Sequence, residues 1–316
     1  MNSNKLQDKT KFIRRKIIQC FLALFVLAIS SLLIKEHYFN KKDINITKEA
    51  EAKSEEIVPK PVQLPKEIDP TQTTKSLENY LTNLSGEYGY SVIDLKSNKS
   101  YGSRESNQYF MASTCKVAIS AYLYSQIESG KINPNTKLIF QKRFYENGTG
   151  ILQFEKPGKS YKISYLNELM IQKSDNVATN ILINYLGVSN IQTFLNNYKI
   201  TGMNISSNTT TPKAMSSLLQ KIYKNEIISK ESTDKLIYLM INSIDDDRIV
   251  AGVPANIIVA HKIGSYGKTT NDVGIVYLKH RPYVISIYSK KTLKQDIAEI
   301  AIAKISQTIF EFEDSQ

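Results

Sequence analysis

In the segment YFMASTCKVAISAYLYSQ, Ser113 stands three residues before Lys116. On a helix the two side chains share one face, so the lysine ammonium can approach the serine hydroxyl. A hydroxyl beside an amine is a nucleophile beside a base, provided the amine sheds its proton. The spacing alone is cheap, because Ser232 with Lys235 and Ser265 with Lys268 repeat it. Only Ser113 opens a run that is apolar around its whole circumference, which predicts a buried helix, and a lysine committed to such a helix needs a reason. The plainer alternative is a helix-capping serine and a lysine whose stem reaches out to water.

Two further segments offer polar groups in defined settings. Ser174-Asp175-Asn176 interrupts LNELMIQK and VATNILINYL at the junction of two helical stretches, where Ser and Asp also serve as ordinary N-caps. Lys262-Ile263-Gly264-Ser265 lies in a run of strand type, where a glycine lets another backbone approach closely, although Lys156-Pro157-Gly158 has the same Lys-x-Gly spacing. A Ser-His-Asp triad would have to rest on His261 or His280. The three histidines and two cysteines leave no candidate set for a clustered zinc site. Gly148-Thr149-Gly150 lacks the third glycine and the preceding strand of a dinucleotide loop, so it reads as a turn. No cofactor, metal or nucleic-acid partner is expected.

The elements that must position these groups are legible from periodicity. Leu77, Tyr80, Leu81 and Leu84 form the stripe of an opening helix. Gly86 to Tyr101 alternates around Val92 and Leu95 with Ser97-Asn98 at the bend, a hairpin. Helices follow over 113–129 and 175–186, ending at Gly130 and Gly187, and Thr211-Pro212 starts another. Strand character returns in 257–263, 272–278 and 283–289, before a last helix from Thr292 to about Phe310. If first and last strands share one antiparallel sheet, the fold is α/β (α+β): a sheet flanked by the terminal helices, an inserted all-helical lobe, and a cleft between the two.

Composition adds a location. Of the formal +11, much sits in residues 1–16, where Lys5, Lys9, Lys11, Arg14, Arg15 and Lys16 face only Asp8. Residues 17–34 then run without a charge, and as a helix at about 1.5 Å per residue would come close to the hydrocarbon thickness of a bilayer. The basic flank predicts a single-pass anchor at the cell membrane, with a short cytoplasmic tail and everything after Lys35 outside. No small-x-small cleavage site follows the apolar run. Residues 35–74, with mixed Lys and Glu and then Pro59, Pro61, Pro65 and Pro70, read as a disordered tether, leaving 75–316 as the folded domain. Cys20 lies in the apolar run and Cys115 in the domain, which rules out an internal disulfide framework.

With Ser-x-x-Lys, Ser-Asp-Asn and Lys-x-Gly in this order and setting, the chain resembles the serine β-lactamase and penicillin-binding protein superfamily, and within it the class A β-lactamase-like proteins. The resemblance covers about residues 75 to 310 and includes FMASTCK, ELMIQKSDNVATN, TTPKAM and DVGIVYL. It implies a β-lactamase/transpeptidase-like fold acting on acyl-D-alanyl-D-alanine ends of peptidoglycan stem peptides, or on the β-lactams that mimic them. It also implies roles. Ser113 would be the nucleophile and Lys116 its base, an amine that must fall from near 10.4 to about 7, at a cost of about 4 kcal/mol. Lys262 would supply a neighbouring cation and attract the substrate carboxylate, Ser174 would relay a proton to the leaving nitrogen, and Asn176 would hold Lys116 and the substrate amide. The oxyanion would sit between the N–H groups of Ser113 and Ser265, with Gly264 allowing the approach.

Two departures from the class A pattern bear on activity. No Asp or Glu lies between Asp175 and Glu226, so the usual water-activating glutamate has no equivalent and slow deacylation is expected. Ile263 stands where the family places a hydroxyl, a loss that Ser265 could partly cover. A serine acyl-transfer hydrolase of D,D-peptidase type is the leading expectation. A class A-like β-lactamase is the second and requires a replacement base, for which Glu146 is the nearest candidate. A non-catalytic muropeptide or β-lactam receptor is the third; a retained nucleophile argues against it.

Overall fold

Helix α1 (Thr71–Thr82) begins after Pro70, with Asp69 Oδ1 accepting the Thr71 N–H at 3.0 Å. It therefore takes in residues 71–74, which composition alone assigns to the tether, because Leu77 and Leu81 have a sheet to pack on. The computed structural model describes residues 69–316, within the compact unit Pro65–Gln316. The expected tail, anchor and most of the tether, 1–16, 17–34 and 35–68, lie outside the described residues. No helix among the described residues is long and apolar enough to cross a membrane.

Strands β1 (Glu87–Asp94) and β2 (Ser100–Ser103) form the expected hairpin. Asp94 Oδ1 accepts the N–H groups of Lys96 and Ser97 at 2.7 and 2.8 Å, and Asn98 takes the left-handed position at φ 63°, so the bend is an Asx turn. Strands β7 (Val259–Tyr266), β8 (Thr269–Val276) and β9 (Tyr283–Lys290) complete a five-stranded sheet of order β2-β1-β9-β8-β7, antiparallel throughout. First and last strands do join, with Glu87 opposite Lys290 and Asp94 opposite Tyr283. Between them the chain makes α2 (Lys116–Glu128), α3 (Ile163–Gln172), α4 (Asn176–Leu186), α5 (Val188–Asn197), α6 (Pro212–Tyr223) and α7 (Lys230–Ile241). Helix α8 (Gln295–Asp314) closes the chain.

Apolar side chains cover the sheet on both faces. On one, Val92, Ile285 and Ile287 meet Leu77 of α1 and Ala298, Ile302 and Ile305 of α8. On the other, Val273, Ile275 and Val284 continue into the interior of the helical lobe through Val117, Met170, Leu182 and Leu218. The α/β reading with an inserted helical lobe therefore stands.

Local differences have local causes. Residues 112–115 form a 3-10 turn, so Ser113 precedes the α-helix instead of opening it. Helix α8 starts three residues after Thr292, whose hydroxyl donates to Lys268 O at 3.1 Å. Two short ladders, β3 (Tyr109–Phe110) with β6 (Thr209–Thr210) and β4 (Lys137–Ile139) with β5 (Ser160–Lys162), are too brief to leave a period-two signature. The first matters, because it ties the strand before Ser113 to the segment before α6, with Met111 N–H donating to Asn208 O at 2.8 Å.

Candidate active site

Ser113 is presented by the 3-10 turn Ala112–Cys115. Ala112 holds a left-handed backbone, φ 49°, a strain that surrounding contacts must maintain. Thr114 anchors the turn from below: its hydroxyl donates to Met111 O at 2.9 Å and shares a hydrogen bond with the Tyr288 hydroxyl of β9, also 2.9 Å. Lys116, the first residue of α2, is 2% exposed. Its Nζ lies 2.8 Å from Ser113 Oγ, 2.7 Å from Ser174 O, 3.2 Å from Ser174 Oγ and 3.0 Å from Asn176 Oδ1. The lysine therefore does not snorkel, and the serine makes no side-chain cap.

Those four neighbours can hold the amine in either protonation state. Two are carbonyl oxygens, which only accept; two are hydroxyls, which donate or accept. A neutral amine has two N–H groups for Ser174 O and Asn176 Oδ1 and one lone pair for a hydroxyl proton. Burial favours that neutral form, lowering the Lys116 amine to about 8. The opposing influences, the Asp175 and Glu146 carboxylates among them, are smaller than the desolvation.

Ser174, Asp175 and Asn176 reach the lysine because a strained loop feeds α4. Ser174 is left-handed at φ 51°. Asp175 is the N-cap expected of its type, Oδ1 accepting Ala178 N–H at 2.8 Å, but its second oxygen does more. Oδ2 accepts the N–H groups of Ile151 and Leu152 at 2.7 and 2.8 Å, which clamps the Gly148-Thr149-Gly150 turn against the site. Gly150 has φ 96°, and a Cβ there would fall 2.3 Å from the Asp175 carboxyl. The turn delivers Thr149, whose hydroxyl donates to Ser174 O at 2.5 Å.

Strand β7 brings the third segment. A Cβ on Gly264 would lie 2.7 Å from Met111 O and 2.9 Å from Ser113 N, so only glycine lets this strand lie against the nucleophile turn. Lys262, on the same face of the strand, is fully buried. Among the described residues its ammonium donates only to Ile263 O, at 3.3 Å. Burial first, and then the Lys116 charge, lower Lys262 to about 7. The sequence reading has Lys262 depressing Lys116; in the structure burial is the first cause for both lysines, and their like charges oppose each other's protonation.

Ile263 and Ser265 face the other way, and there sits a group the sequence reading missed. Arg248, 2% exposed, donates from Nη2 to Ser265 Oγ and to Glu299 Oε1, both at 2.9 Å, and from Nη1 to Asn271 O at 3.0 Å. Its signal was residue type alone: the chain uses lysine for most of its cations, and a rigid planar fork is the reason to depart from that habit.

A cleft of about 250 Å³ joins these parts, lined among others by Ser113, Lys116, Asn176 and Ser265, with Phe110 and Tyr266 packed at 5.4 Å on one wall. Ser174 meets the lining through Lys116 and Gly264 through Ser113, while Lys262 is buried two residues before Gly264 on the same strand. Glu146 reaches the same cleft, with Asn180 Nδ2 donating to its Oε2 at 2.7 Å. A larger depression, lined by Tyr124, Glu231 and Tyr238, brings no nucleophile and base together, and its Lys235 pairs with Glu231 at 2.6 Å. His261 serves no triad, because its ring is buried between Asp272, at 3.2 Å, and Asp246, at 3.3 Å. Burial pulls its imidazole down, but those two carboxylates outweigh it and the net shift is upward.

Comparison with known proteins agrees with this geometry. The chain is 27% identical over 244 residues to the β-lactamase SME-1 of Serratia marcescens, covering 70% of this chain and 82% of that protein. The solved structure of PBP-A superposes with a TM-score of 0.76 at 24% identity, covering 80% of this chain and 100% of that one. The TLA-1 extended-spectrum β-lactamase superposes with a TM-score of 0.73 at 26% identity, covering 77% and 98%. A family model described as the β-lactamase enzyme family matches residues 72–312. With that match over most of its length, the chain belongs to the β-lactamase enzyme family, within the serine β-lactamase and penicillin-binding protein superfamily.

Proposed function

We propose that this protein is a serine acyl-transfer hydrolase of D,D-peptidase type, which forms an acyl-enzyme at Ser113 with acyl-D-alanyl-D-alanine peptides or β-lactams and releases β-lactams slowly. The observation that carries the reading is the Lys116 amine 2.8 Å from Ser113 Oγ, with Ser174 O at 2.7 Å and Asn176 Oδ1 at 3.0 Å to take its two N–H groups in the neutral form. Its lone pair is then directed to the serine proton. Ser113 Oγ bonds to the substrate carbonyl carbon as Lys116 takes that proton. The oxyanion forms between the Ser113 and Ser265 N–H groups, whose proximity is supported by the contact at Gly264. Collapse breaks the amide bond, and the leaving nitrogen takes a proton through Ser174 Oγ, 3.2 Å from Lys116. Water then splits the ester, returning the hydroxyl and an acid.

Slow release follows from chemistry that is missing. No carboxylate lies between Asp175 and Glu226, so nothing in that segment activates the hydrolytic water. Ser265, held by Arg248 at 2.9 Å, lines the cleft and offers a hydroxyl to a substrate carboxylate. The charge asymmetry about residues 17–34 supports an anchored protein whose domain meets its substrate outside the cytoplasm.

A second reading, hydrolysis of β-lactams with turnover, is favoured by the resemblance to SME-1 and TLA-1 and by Glu146 in the cleft. One experiment separates them: D-alanine release from an acyl-D-alanyl-D-alanine peptide, measured beside steady-state benzylpenicillin hydrolysis. Peptide cleavage with penicillin turnover slower than about one per minute supports the first reading. Fast penicillin turnover without peptide cleavage overturns it.

A further inference from the structure

We propose that Glu146 recognises an ammonium on the acyl side of the substrate, so that the preferred acyl donor carries a free amine on that side of the scissile carbonyl. The proposal rests on the acyl-enzyme reading above and specifies its substrate.

Strand β7 lends the cleft Ser265 and Tyr266, and the Arg248 guanidinium that donates to Ser265 is already paired with Glu299. Across from that strand the carboxylate that reaches the lining is Glu146. Glu146 sits on the loop that the Asp175 clamp holds against α4. Asn180 fixes its Oε2 at 2.7 Å and also reaches Phe144 O at 3.3 Å. Asn180 lies four residues after Asn176 on α4, so the two amides project from one helical face. The carboxylate is therefore beside the group that would hold the acyl amide.

Its circumstances suit a cation better than a proton-transfer task. Glu146 is exposed at the rim, and no cation pairs with it among the described residues. Lys116 feels its charge less than those of Cys115 and Asp175. One oxygen is occupied by an amide donor, which orients the carboxylate without neutralising it. A substrate with an ammonium at its acyl end supplies the partner that this carboxylate lacks.

Ampicillin and benzylpenicillin differ by one α-ammonium on the acyl side and make the test direct. Acylation rates of both are measured at pH 6.5 on the full-length protein in detergent, for wild type and Glu146→Gln, together with adduct lifetimes. The ratio of the ampicillin rate to the benzylpenicillin rate should fall about threefold in Glu146→Gln, the size of a solvent-accessible ion pair. The wild-type ratio should shrink in 0.5 M NaCl. An unchanged ratio overturns the proposal. So does a benzylpenicillin adduct that lives tenfold longer in the variant, which would make Glu146 the hydrolytic base. If the wild type takes neither label, the acyl-enzyme reading itself has failed, a result distinct from an unchanged ratio between two measurable rates.

Discussion

Replacing Lys116 by arginine keeps the positive charge and removes the possibility of losing it, because guanidinium is not deprotonated in proteins. If Lys116 is the base, its neutral form sets the acylation rate. With the amine lowered to about 8, roughly one part in ten is neutral at pH 7 and one in a hundred at pH 6. Burial depresses this lysine, so the reactive form is gained as pH rises: acylation should climb about tenfold from pH 6 to 7 and level off above 8. Lys116→Arg should slow acylation at least about a hundredfold, the lower range for a positioned base, and should abolish the climb. Lys116→Met, closer in volume, should do the same without crowding Ser174 and Asn176. The assay is stopped-flow acylation by a fluorescent penicillin from pH 5.5 to 9. A wild-type rate flat across pH 6 to 8, or a Lys116→Arg variant within threefold of wild type, would refute the reasoning.

Other consequences follow from single contacts. Gly264→Ala places a methyl 2.7 Å from Met111 O and 2.9 Å from Ser113 N, so β7 must retreat; acylation should fall by about 10²–10³ with the fold retained by circular dichroism. Near-normal acylation would mean the oxyanion site lies elsewhere. Arg248→Ala leaves Asn271 O, Ser265 Oγ and Glu299 without their guanidinium partner and should cost about 3 kcal/mol in urea unfolding; a loss under 1 kcal/mol contradicts this. Glu313, buried against the Tyr101 hydroxyl at 2.8 Å, is pushed up by burial to about 7 from an ordinary 4.5. Its raised value means the stability it allows is complete below pH 4.5 and is lost as pH rises through 7. Glu313→Gln should therefore remove a fall of about 2–3 kcal/mol between pH 4.5 and 7, and equal pH slopes in both proteins would sink the argument.

The chemistry was more legible in the sequence than the elements that carry it. Ser113, Lys116, Ser174, Asn176, Lys262, Gly264 and Ser265 stand in local contexts that periodicity exposes: an apolar helix, a break between helices, a strand. What periodicity cannot show is contact across the chain. Arg248 meets Ser265 through the approach of a loop to a strand edge, and Thr149 reaches Ser174 only because Asp175 accepts two backbone N–H groups from a distant turn. The 3-10 turn at Ser113 was hidden for a related reason. Its left-handed Ala112 has no residue signature and is held in place by Thr114, Tyr288 and Gly264. Burial depth was likewise invisible, and it is the first cause of the lowering at both lysines.

The central claim is that Ser113 becomes covalently acylated and stays so. Intact-mass measurement of the full-length protein after benzylpenicillin, followed over time with peptide mapping, reads both parts at once. The account predicts one added penicilloyl mass on the peptide containing Ser113, absent in Ser113→Ala and persisting for minutes. An unmodified protein, or an adduct mapped to any other residue, would contradict it.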